Sequence, residues 1–260
     1  MTTYAANIEI LYTQHADFSD RIRAAAADGF TAVEMWMTSP HDVSALAAAA
    51  AEAGVTISSV IAEPRFTFTM PGADFNVFFD GLRDSISRAK TLGAPRVVLG
   101  SGMGFPGKKR QQQLDELVAV FKDAAAIAEA EGIQLVLEPV NTRVDHPGAL
   151  LDRTAEAIYI AQNVASPNFK VLYDIYHSSV EGEDVLGILR EHSDLIGYIQ
   201  LADAPGRGEP GSGNIDWKPI LAAVDASGYS EVVGLEYYPT KDTTESLAYL
   251  RSLGNWQVQS

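Results

Sequence analysis

The feature that most constrains the fold of this 260-residue chain is a regular alternation between short apolar runs and longer segments with helical spacing. Eight apolar runs have the composition of buried strands, at residues 6–12, 30–36, 55–61, 96–100, 133–138, 169–174, 195–200 and 231–237. Four of the intervening segments end at glycines, which often terminate helices: Gly29, Gly54, Gly93 and Gly132. Further helices are predicted over residues 148–164, 182–192, 217–227 and 243–253. Strict alternation of strands and helices predicts a parallel sheet covered by helices.

Eight strand–helix units in a chain of this length predict an α/β protein with the (β/α)8 TIM-barrel architecture, formed by a single domain over residues 1–260. An open doubly wound sheet is the alternative, but the first strand and turn, "IEILYTQHADFSD", lack the glycine fingerprint of a dinucleotide site. The three longest connections follow the third, fourth and seventh strands. In a barrel these connections lie on the C-terminal face, where active sites are built, so their lengths favour an enzyme.

The charge and cysteine content exclude several classes of protein. A formal charge of −15 argues against a nucleic-acid partner, because phosphate binding requires clustered lysine and arginine, and it would also repel an anionic membrane surface. The chain has no cysteine, which excludes disulfides and thiolate metal sites. The first residues lack a signal-peptide pattern, and no apolar run reaches the roughly 18 residues needed to cross a bilayer. We therefore expect a cytoplasmic location.

Polar side chains close each of the last four predicted strands. Glu138, Asp174, Gln200 and Glu236 each end an otherwise largely apolar run. In a closed barrel these four ends meet at one rim, where three carboxylates would repel each other unless a cation or bound protons neutralised them. A strand-end carboxylate can also serve only as a helix cap or salt-bridge partner. Four in consecutive strands instead predict an oxygen-ligand site for a divalent metal, which suits Mg²⁺ or Mn²⁺ better than Zn²⁺.

Other residues are expected to reach the same rim. His177 follows Asp174 by three residues and could donate a hydrogen bond to a bound substrate, whereas the alternative is a polar surface histidine. Arg207 lies in a glycine-rich loop, and its guanidinium suits a substrate carboxylate or hydroxyl. Glu34 ends the second strand and could reach the site or make a structural hydrogen bond. Three aromatic residues could wall the pocket or pack in the core: Trp36, Phe66 and Phe68.

Four segments of the chain resemble one known family. "LEPVNTRVDHPG", "YDIYH", "IQLADAPGRGEPGSGNIDW" and "GLEYYP" are similar to the hydroxypyruvate isomerases, which belong to the xylose isomerase-like sugar isomerases and epimerases. The resemblance is close over residues 80–240 and looser before them. It implies a (β/α)8 barrel and an isomerase, which in this family converts hydroxypyruvate to tartronate semialdehyde.

The resemblance also implies roles for particular residues. The family's metal ligands fall on Glu138, Asp174, Gln200 and Glu236. The two glutamates would also be the acid/base pair, and substrate would contact His177 and Arg207. The implied reaction is proton transfer through an enediolate, with the metal stabilising the developing oxyanion.

Two loops depart from the family pattern. The family has a longer, tryptophan-containing loop after the third strand, where this chain has "AEPRFTFTMPGADF", and the loop after the second strand, "MWMTSPHD", also differs. Both loops would line the substrate pocket, so a different small keto acid or sugar remains open as substrate. An epimerase, or a decarboxylase of a 3-oxo sugar acid, is the alternative on the same metal platform. A homo-oligomer is also compatible with the sequence.

Overall fold

The strands form a ring of parallel neighbours in the computed structural model, which describes residues 2–254 and Trp256. Their bounds are β1 (Tyr4–Asn7), β2 (Ala32–Glu34), β3 (Thr56–Ile57), β4 (Val60–Ile61), β5 (Arg96–Leu99), β6 (Gln134–Leu137), β7 (Phe169–Asp174), β8 (Ile196–Leu201) and β9 (Val233–Leu235). Their order in the sheet is β3-β2-β1-β9-β8-β7-β6-β5-β4.

The third barrel strand is divided into two pieces, β3 and β4. Its first piece pairs with β2 and its second with β5. Backbone hydrogen bonds continue across the break, since the Ser58 amide donates to the Val33 carbonyl and the Ile61 amide donates to the Trp36 carbonyl, both at 2.8 Å. These bonds close the ring, so the nine short strands form an eight-stranded barrel. The predicted (β/α)8 fold is confirmed.

Helices cover the outside of the ring: α1 (Phe18–Ala27), α2 (Val43–Ala53), α3 (Phe75–Leu92), α4 (Arg110–Glu131), α5 (Thr154–Val164), α6 (Ile175–Glu181), α7 (Val185–His192), α8 (Trp217–Ala226), α9 (Thr243–Ser246) and α10 (Ala248–Ser252). Aspartate is the usual N-cap, as in α2, where Asp42 accepts hydrogen bonds from two backbone amides. Gly54, Gly93 and Gly132 are C-caps in the left-handed conformation, as the sequence predicts.

The interior of the barrel is filled by alternate residues of its strands. The side chains of Ile61, Val98, Val136, Leu172 and Tyr198 form one apolar cluster. Their neighbours along the strands belong to a separate, larger core beneath the helices. Since successive side chains of a strand point to opposite faces, the inner cluster forms a floor below the C-terminal rim.

Several element boundaries differ from the predictions. The first strand ends at Asn7 rather than residue 12, because the apolar residues after it are buried in a loop instead of a sheet. The helix predicted over 148–164 begins only at Thr154. A short helix that the sequence pattern does not predict, α6, starts directly after β7, with no loop between the two. The last predicted helix is divided into α9 and α10.

Within the described residues, none of the helices combines the length and apolarity required to cross a bilayer.

Candidate active site

The predicted site residues lie together at the C-terminal ends of the strands. Glu138 directly follows β6, Asp174 ends β7, and Glu236 directly follows β9. Asp174 is the register partner of Gln200, which is the penultimate residue of β8. Glu34 ends β2, and the side chains of all five residues are almost fully buried. The parallel register therefore brings four carboxylates and one amide to a single rim.

The amide of Gln200 connects two of these carboxylates. Its Nε2 atom donates to Glu34 Oε1 at 2.9 Å and to Glu236 Oε2 at 2.5 Å. Glu34 Oε1 also accepts from Asn7 Nδ2 at 3.0 Å. Gly234 in β9 leaves room for the Glu34 carboxylate, because a Cβ atom at Gly234 would lie 2.4 Å from Glu34 Oε2. With Nε2 occupied by two acceptors, the Gln200 Oε1 atom is left buried and without a hydrogen-bond partner.

Asp174 has one oxygen used by the backbone and one free. Its Oδ1 atom caps α6 by accepting from the amides of Tyr176 at 2.8 Å and His177 at 3.4 Å. Its Oδ2 atom is buried without a partner, as is Glu138 Oε1. The cap thus fixes the carboxylate while leaving the second oxygen directed elsewhere. Asp174 therefore caps the helix with one oxygen, and its second oxygen remains available to a ligand.

His177 is held as a neutral donor beside these two free oxygens. Its Nδ1 atom accepts from the Asn141 backbone amide at 3.2 Å, which places the ring proton on Nε2. Burial lowers the pKa of His177 well below its usual value, and the nearby Arg207 lowers it further. The Nε2 atom lies 3.5 Å from Asp174 Oδ2 and 3.6 Å from Glu138 Oε1, with no hydrogen-bond partner. His177 can therefore donate a hydrogen bond into the site.

Two arginines face the two glutamates. Arg207 Nη2 lies 2.5 Å from Glu236 Oε1, and its guanidinium stacks 5.3 Å from the ring centre of Tyr176. Arg65 Nη2 lies 2.5 Å from Glu138 Oε2. Arg65 belongs to the loop after the third barrel strand and was not among the predicted site residues, because its partner is 73 positions away in the chain. Both arginines also have a buried Nε atom without a partner.

The loop that carries Arg207 is fixed by a buried aspartate. Asp203 accepts from the backbone amide of Gly211 at 2.7 Å and from Trp217 Nε1 at 2.9 Å. The Arg207 carbonyl accepts from the Tyr238 amide at 2.8 Å. Arg207 itself has a φ of 53°, a left-handed conformation that costs free energy outside glycine and asparagine. The glycine-rich sequence therefore forms a rigid support for one side chain rather than a solvated loop.

The electrostatics of the cluster favour a bound cation. Burial raises the pKa of Asp174 to about 7, with Arg207 opposing the shift and Glu138 adding to it. Burial also raises the pKa of Glu34 to about 6 and that of Glu236 well above its usual value. When all four carboxylates are ionised, the two arginines leave a formal charge of −2. A divalent cation would balance this charge.

The donor atoms also fit a small metal ion. Single ligand atoms of Glu138, Asp174 and His177 lie within 4.8 Å of one another, so this group could bind a metal. Because the His177 proton is on Nε2, the better ligands are the unpartnered oxygens of Glu138, Asp174 and Gln200. A small cavity lined by Glu138, Gln200 and Glu236 has room for about one water-sized sphere. Carboxylate and amide oxygens are the ligand atoms that hard divalent cations prefer in proteins.

The predicted aromatic residues have different positions. Trp36 lines the small cavity. Phe66 lies at the rim, with the Arg65 guanidinium 4.9 Å from its ring centre and His146 at 5.9 Å. Phe68 stacks on Phe78 beneath the helices, at 4.5 Å between ring centres. It therefore packs in the core and does not wall the pocket.

Four further residues of the site were not singled out from the sequence: Asn7, Arg65, Asn141 and His146. Asn7 ends β1 in the same way as the predicted ligands end their strands, so the strand-end pattern could have identified it. Asn141 and His146 lie inside the motif "LEPVNTRVDHPG", without a pattern that indicates their partners. The His146 ring packs 5.5 Å from that of His177, and burial lowers its pKa.

Comparison with known proteins shows a full-length similarity to isomerases. The family model described as xylose isomerase-like TIM barrel matches residues 22–253. A 2-oxo-tetronate isomerase from Cupriavidus necator is 32% identical over 96% of this chain and 98% of its own. The hydroxypyruvate isomerase of Escherichia coli is 31% identical over the same shares of the two chains. These similarities place the chain among the isomerases.

The solved structures agree with this fold. A Brucella melitensis protein described as an AP endonuclease of family 2 superimposes with a TM-score of 0.89 and 25% identity, covering 97% of this chain and 99% of its own. The resemblance stated from the sequence motifs is confirmed by both the family model and the relatives. A net charge of −15 remains unfavourable for binding DNA.

Proposed function

Because the chain belongs to the xylose isomerase-like TIM-barrel family, we propose that it is a metal-dependent isomerase of a small hydroxylated 2-oxo acid. The substrate we propose is hydroxypyruvate, converted to tartronate semialdehyde. The observation that carries the proposal is the convergence of unpartnered buried oxygens of Glu138, Asp174 and Gln200 beside a second glutamate, Glu236. Buried polar atoms are normally paired, so a group of unpaired ones indicates a site built for a ligand.

The divalent cation would be held by Glu138, Asp174, Gln200 and Glu236. When bound, it supplies Lewis-acid stabilisation of the negative charge that develops on the substrate oxygens. Its ligands come from four consecutive barrel strands, so their spacing is fixed by the sheet rather than by loops. Such rigid support is what a preorganised electrostatic site requires.

The proton transfers are assigned to the two glutamates. Glu138, which is buried at this rim, would remove a proton from C3 of hydroxypyruvate. The C–H electron pair forms the C2–C3 double bond, and the carbonyl electrons move onto O2 to give the enediolate. Glu236 would deliver a proton to C2, and the O3 proton moves to O2 as the C3 aldehyde forms. The glutamates regain their protonation states by exchange with solvent.

His177 and Arg207 would orient the substrate. The His177 Nε2–H group faces the free oxygens of Glu138 and Asp174, so it can donate to a substrate oxygen placed there. Arg207 keeps Glu236 in place through their ion pair and presents its unpartnered Nε–H to the same space. Glu34, bonded to Gln200 and Asn7, would fix the amide so that its oxygen can serve as a ligand.

Solvent deuterium exchange tests the proposed function. The purified protein is treated with a chelator, reloaded with Mn²⁺ or Mg²⁺, and incubated with hydroxypyruvate in D₂O. We expect deuterium at C3 of the substrate and formation of the aldehyde, both dependent on the added metal. Full activity without metal would contradict the metal requirement. Release of CO₂ from a 3-oxo sugar acid, without exchange into hydroxypyruvate, would support the decarboxylase alternative instead.

A further inference from the structure

We propose that Arg65 recognises the carboxylate of the substrate and so selects 2-oxo acids over uncharged ketoses. The inference rests on the proposed function and adds a specificity residue to it. It concerns the loop after the third barrel strand, which is where the sequence departs most clearly from the family pattern.

The backbone that carries Arg65 is tightly positioned. A Cβ atom on Gly100 would lie 2.4 Å from both Cγ and the carbonyl oxygen of Arg65, and one on Gly81 would lie 2.1 Å from the Glu63 carbonyl oxygen. Two glycines therefore allow this segment to pass close to β5 and α3. Glu63 is further held by Ser39, whose hydroxyl donates to it at 2.7 Å. A loop fixed in this way can place a guanidinium accurately.

The Arg65 side chain retains capacity to bind an anion. Its Nη2 atom contacts Glu138 Oε2, and its guanidinium rests on the Phe66 ring, while the Nε atom is buried without a partner. The side chain is 23% exposed, compared with 8% for that of Arg207. Arg65 therefore has both an unused donor and an open side, and planar guanidinium groups bind carboxylates through paired donors.

The charges around the site favour such a contact. An anionic substrate must approach Glu34, Glu138, Asp174 and Glu236, which would repel its carboxylate. Arg207 lies deeper and is committed to Glu236, with Asp174 Oδ2 at 3.9 Å. Arg65 lies beside Glu138, the proposed base, so a carboxylate bound to it would leave the adjacent carbons close to Glu138. Arg65 is thus the better placed of the two to receive the carboxylate.

Two substrates that differ only at the carboxylate can distinguish carboxylate binding by Arg65 from an effect of Arg65 on Glu138. Dihydroxyacetone has a hydroxymethyl group where hydroxypyruvate has its carboxylate, and both have the same exchangeable hydroxymethylene group. We expect Arg65→Gln to lower kcat/KM for deuterium exchange about 100-fold more with hydroxypyruvate than with dihydroxyacetone, because any effect through Glu138 is common to both substrates. Arg65→Lys should retain part of the preference, because it keeps the charge but loses the planar fork.

Arg143→Gln is the matched control. Arg143 lies in a loop on the same rim and pairs with Glu181 at 2.9 Å, but its side chain is 58% exposed and has no contact with the proposed ligands. We expect this variant to retain wild-type exchange with both substrates. An equal loss with both substrates in Arg65→Gln would overturn the proposal, since Arg65 would then act only through Glu138. An unchanged rate with hydroxypyruvate would overturn it as well.

A binding measurement keeps this test independent of turnover. Calorimetric titrations of the Mn²⁺-loaded protein with glycerate and with glycerol compare an acid with its uncharged counterpart. We expect Arg65→Gln to weaken glycerate binding at least about tenfold more than glycerol binding. Unchanged glycerate binding would contradict the role of Arg65. If the wild-type protein exchanges neither substrate, the proposed isomerase function fails, whereas the glycerate titration still decides whether Arg65 binds carboxylates.

Discussion

The two ends of the barrel each bury an arginine, but they treat polar atoms differently. At the N-terminal end, Arg96 donates through Nε to Gln134 Oε1 at 3.2 Å and to the Gly197 carbonyl at 3.1 Å, and it also pairs with Glu231. At the C-terminal end, Arg65 and Arg207 each leave Nε unpartnered. Near them, Glu138 and Asp174 likewise each have one buried oxygen without a hydrogen-bond partner.

This difference separates a structural polar network from a functional one. A network whose donors and acceptors all pair contributes to the fold, and nothing is left over for a ligand. Unpaired buried atoms cost stability, so a cluster of them at one rim is explained by a ligand that pairs with them. Changes at the C-terminal end should therefore affect activity, and changes at the N-terminal end should affect stability.

The largest expected effect follows from removing either proposed acid/base group. Glu138→Gln and Glu236→Gln keep the size of the side chain but cannot transfer the proton. We expect each to lower the rate of deuterium exchange into hydroxypyruvate by about 1,000-fold or more, with the fold retained by circular dichroism. Glu231→Gln at the N-terminal end is the control and should exchange at the wild-type rate. Near wild-type turnover in either site variant would remove that residue from the mechanism.

The next effect tests the opposite end. Arg96→Met should lower the free energy of unfolding by about 3 kcal/mol, because Gln134 and the Gly197 carbonyl lose their buried donor. Urea denaturation gives the change in stability, and kcat measured under native conditions should stay near the wild-type value. A loss of kcat without a loss of stability would contradict a purely structural role for the N-terminal network, because it would show that this network affects the active site.

The sequence is sufficient to predict the barrel because three separate features of it indicate the same topology. Apolar runs, glycine C-caps and the strand-end polar residues all recur with the same β–α period, so an error at one boundary does not change the topology. The pattern places the first strand too late in the chain, because Ile8 and Leu11 are as buried as strand residues although they lie in the following loop. Burial of an apolar residue alone does not distinguish a strand from a buried loop.

The site residues are predictable from the sequence only where a polar residue recurs at the ends of successive strands. Gln200 and the three carboxylates close consecutive strands, so the sheet brings them together once the topology is known. Arg65 follows no such period, since its contact with Glu138 depends on the course of an irregular loop and on the absence of side chains at Gly81 and Gly100. The tautomer of His177 likewise depends on the Asn141 amide, which no spacing rule indicates.

The smallest expected effect concerns the cost of leaving the C-terminal cluster without a cation. Asp174→Asn keeps an oxygen that can accept from the Tyr176 amide but removes the ionisable group. We expect the metal-free variant to be more stable than the metal-free wild type by about 2 kcal/mol at pH 8 and by less at pH 5. Urea denaturation of both chelated proteins at the two pH values measures this difference.

The sign follows from the direction of the pKa shift. Burial raises the pKa of Asp174 to about 7 in the folded protein, from 3.8 when the group is free. Between these values the folded state binds more protons than the unfolded state, so wild-type stability falls as the pH rises from about 4 to about 7. Adding Mn²⁺ at pH 8 should reverse the order, because the wild type would bind the cation more tightly. A stability difference that is independent of both pH and Mn²⁺ would mean that Asp174 is only a helix cap, like Asp42, and not part of a cation site.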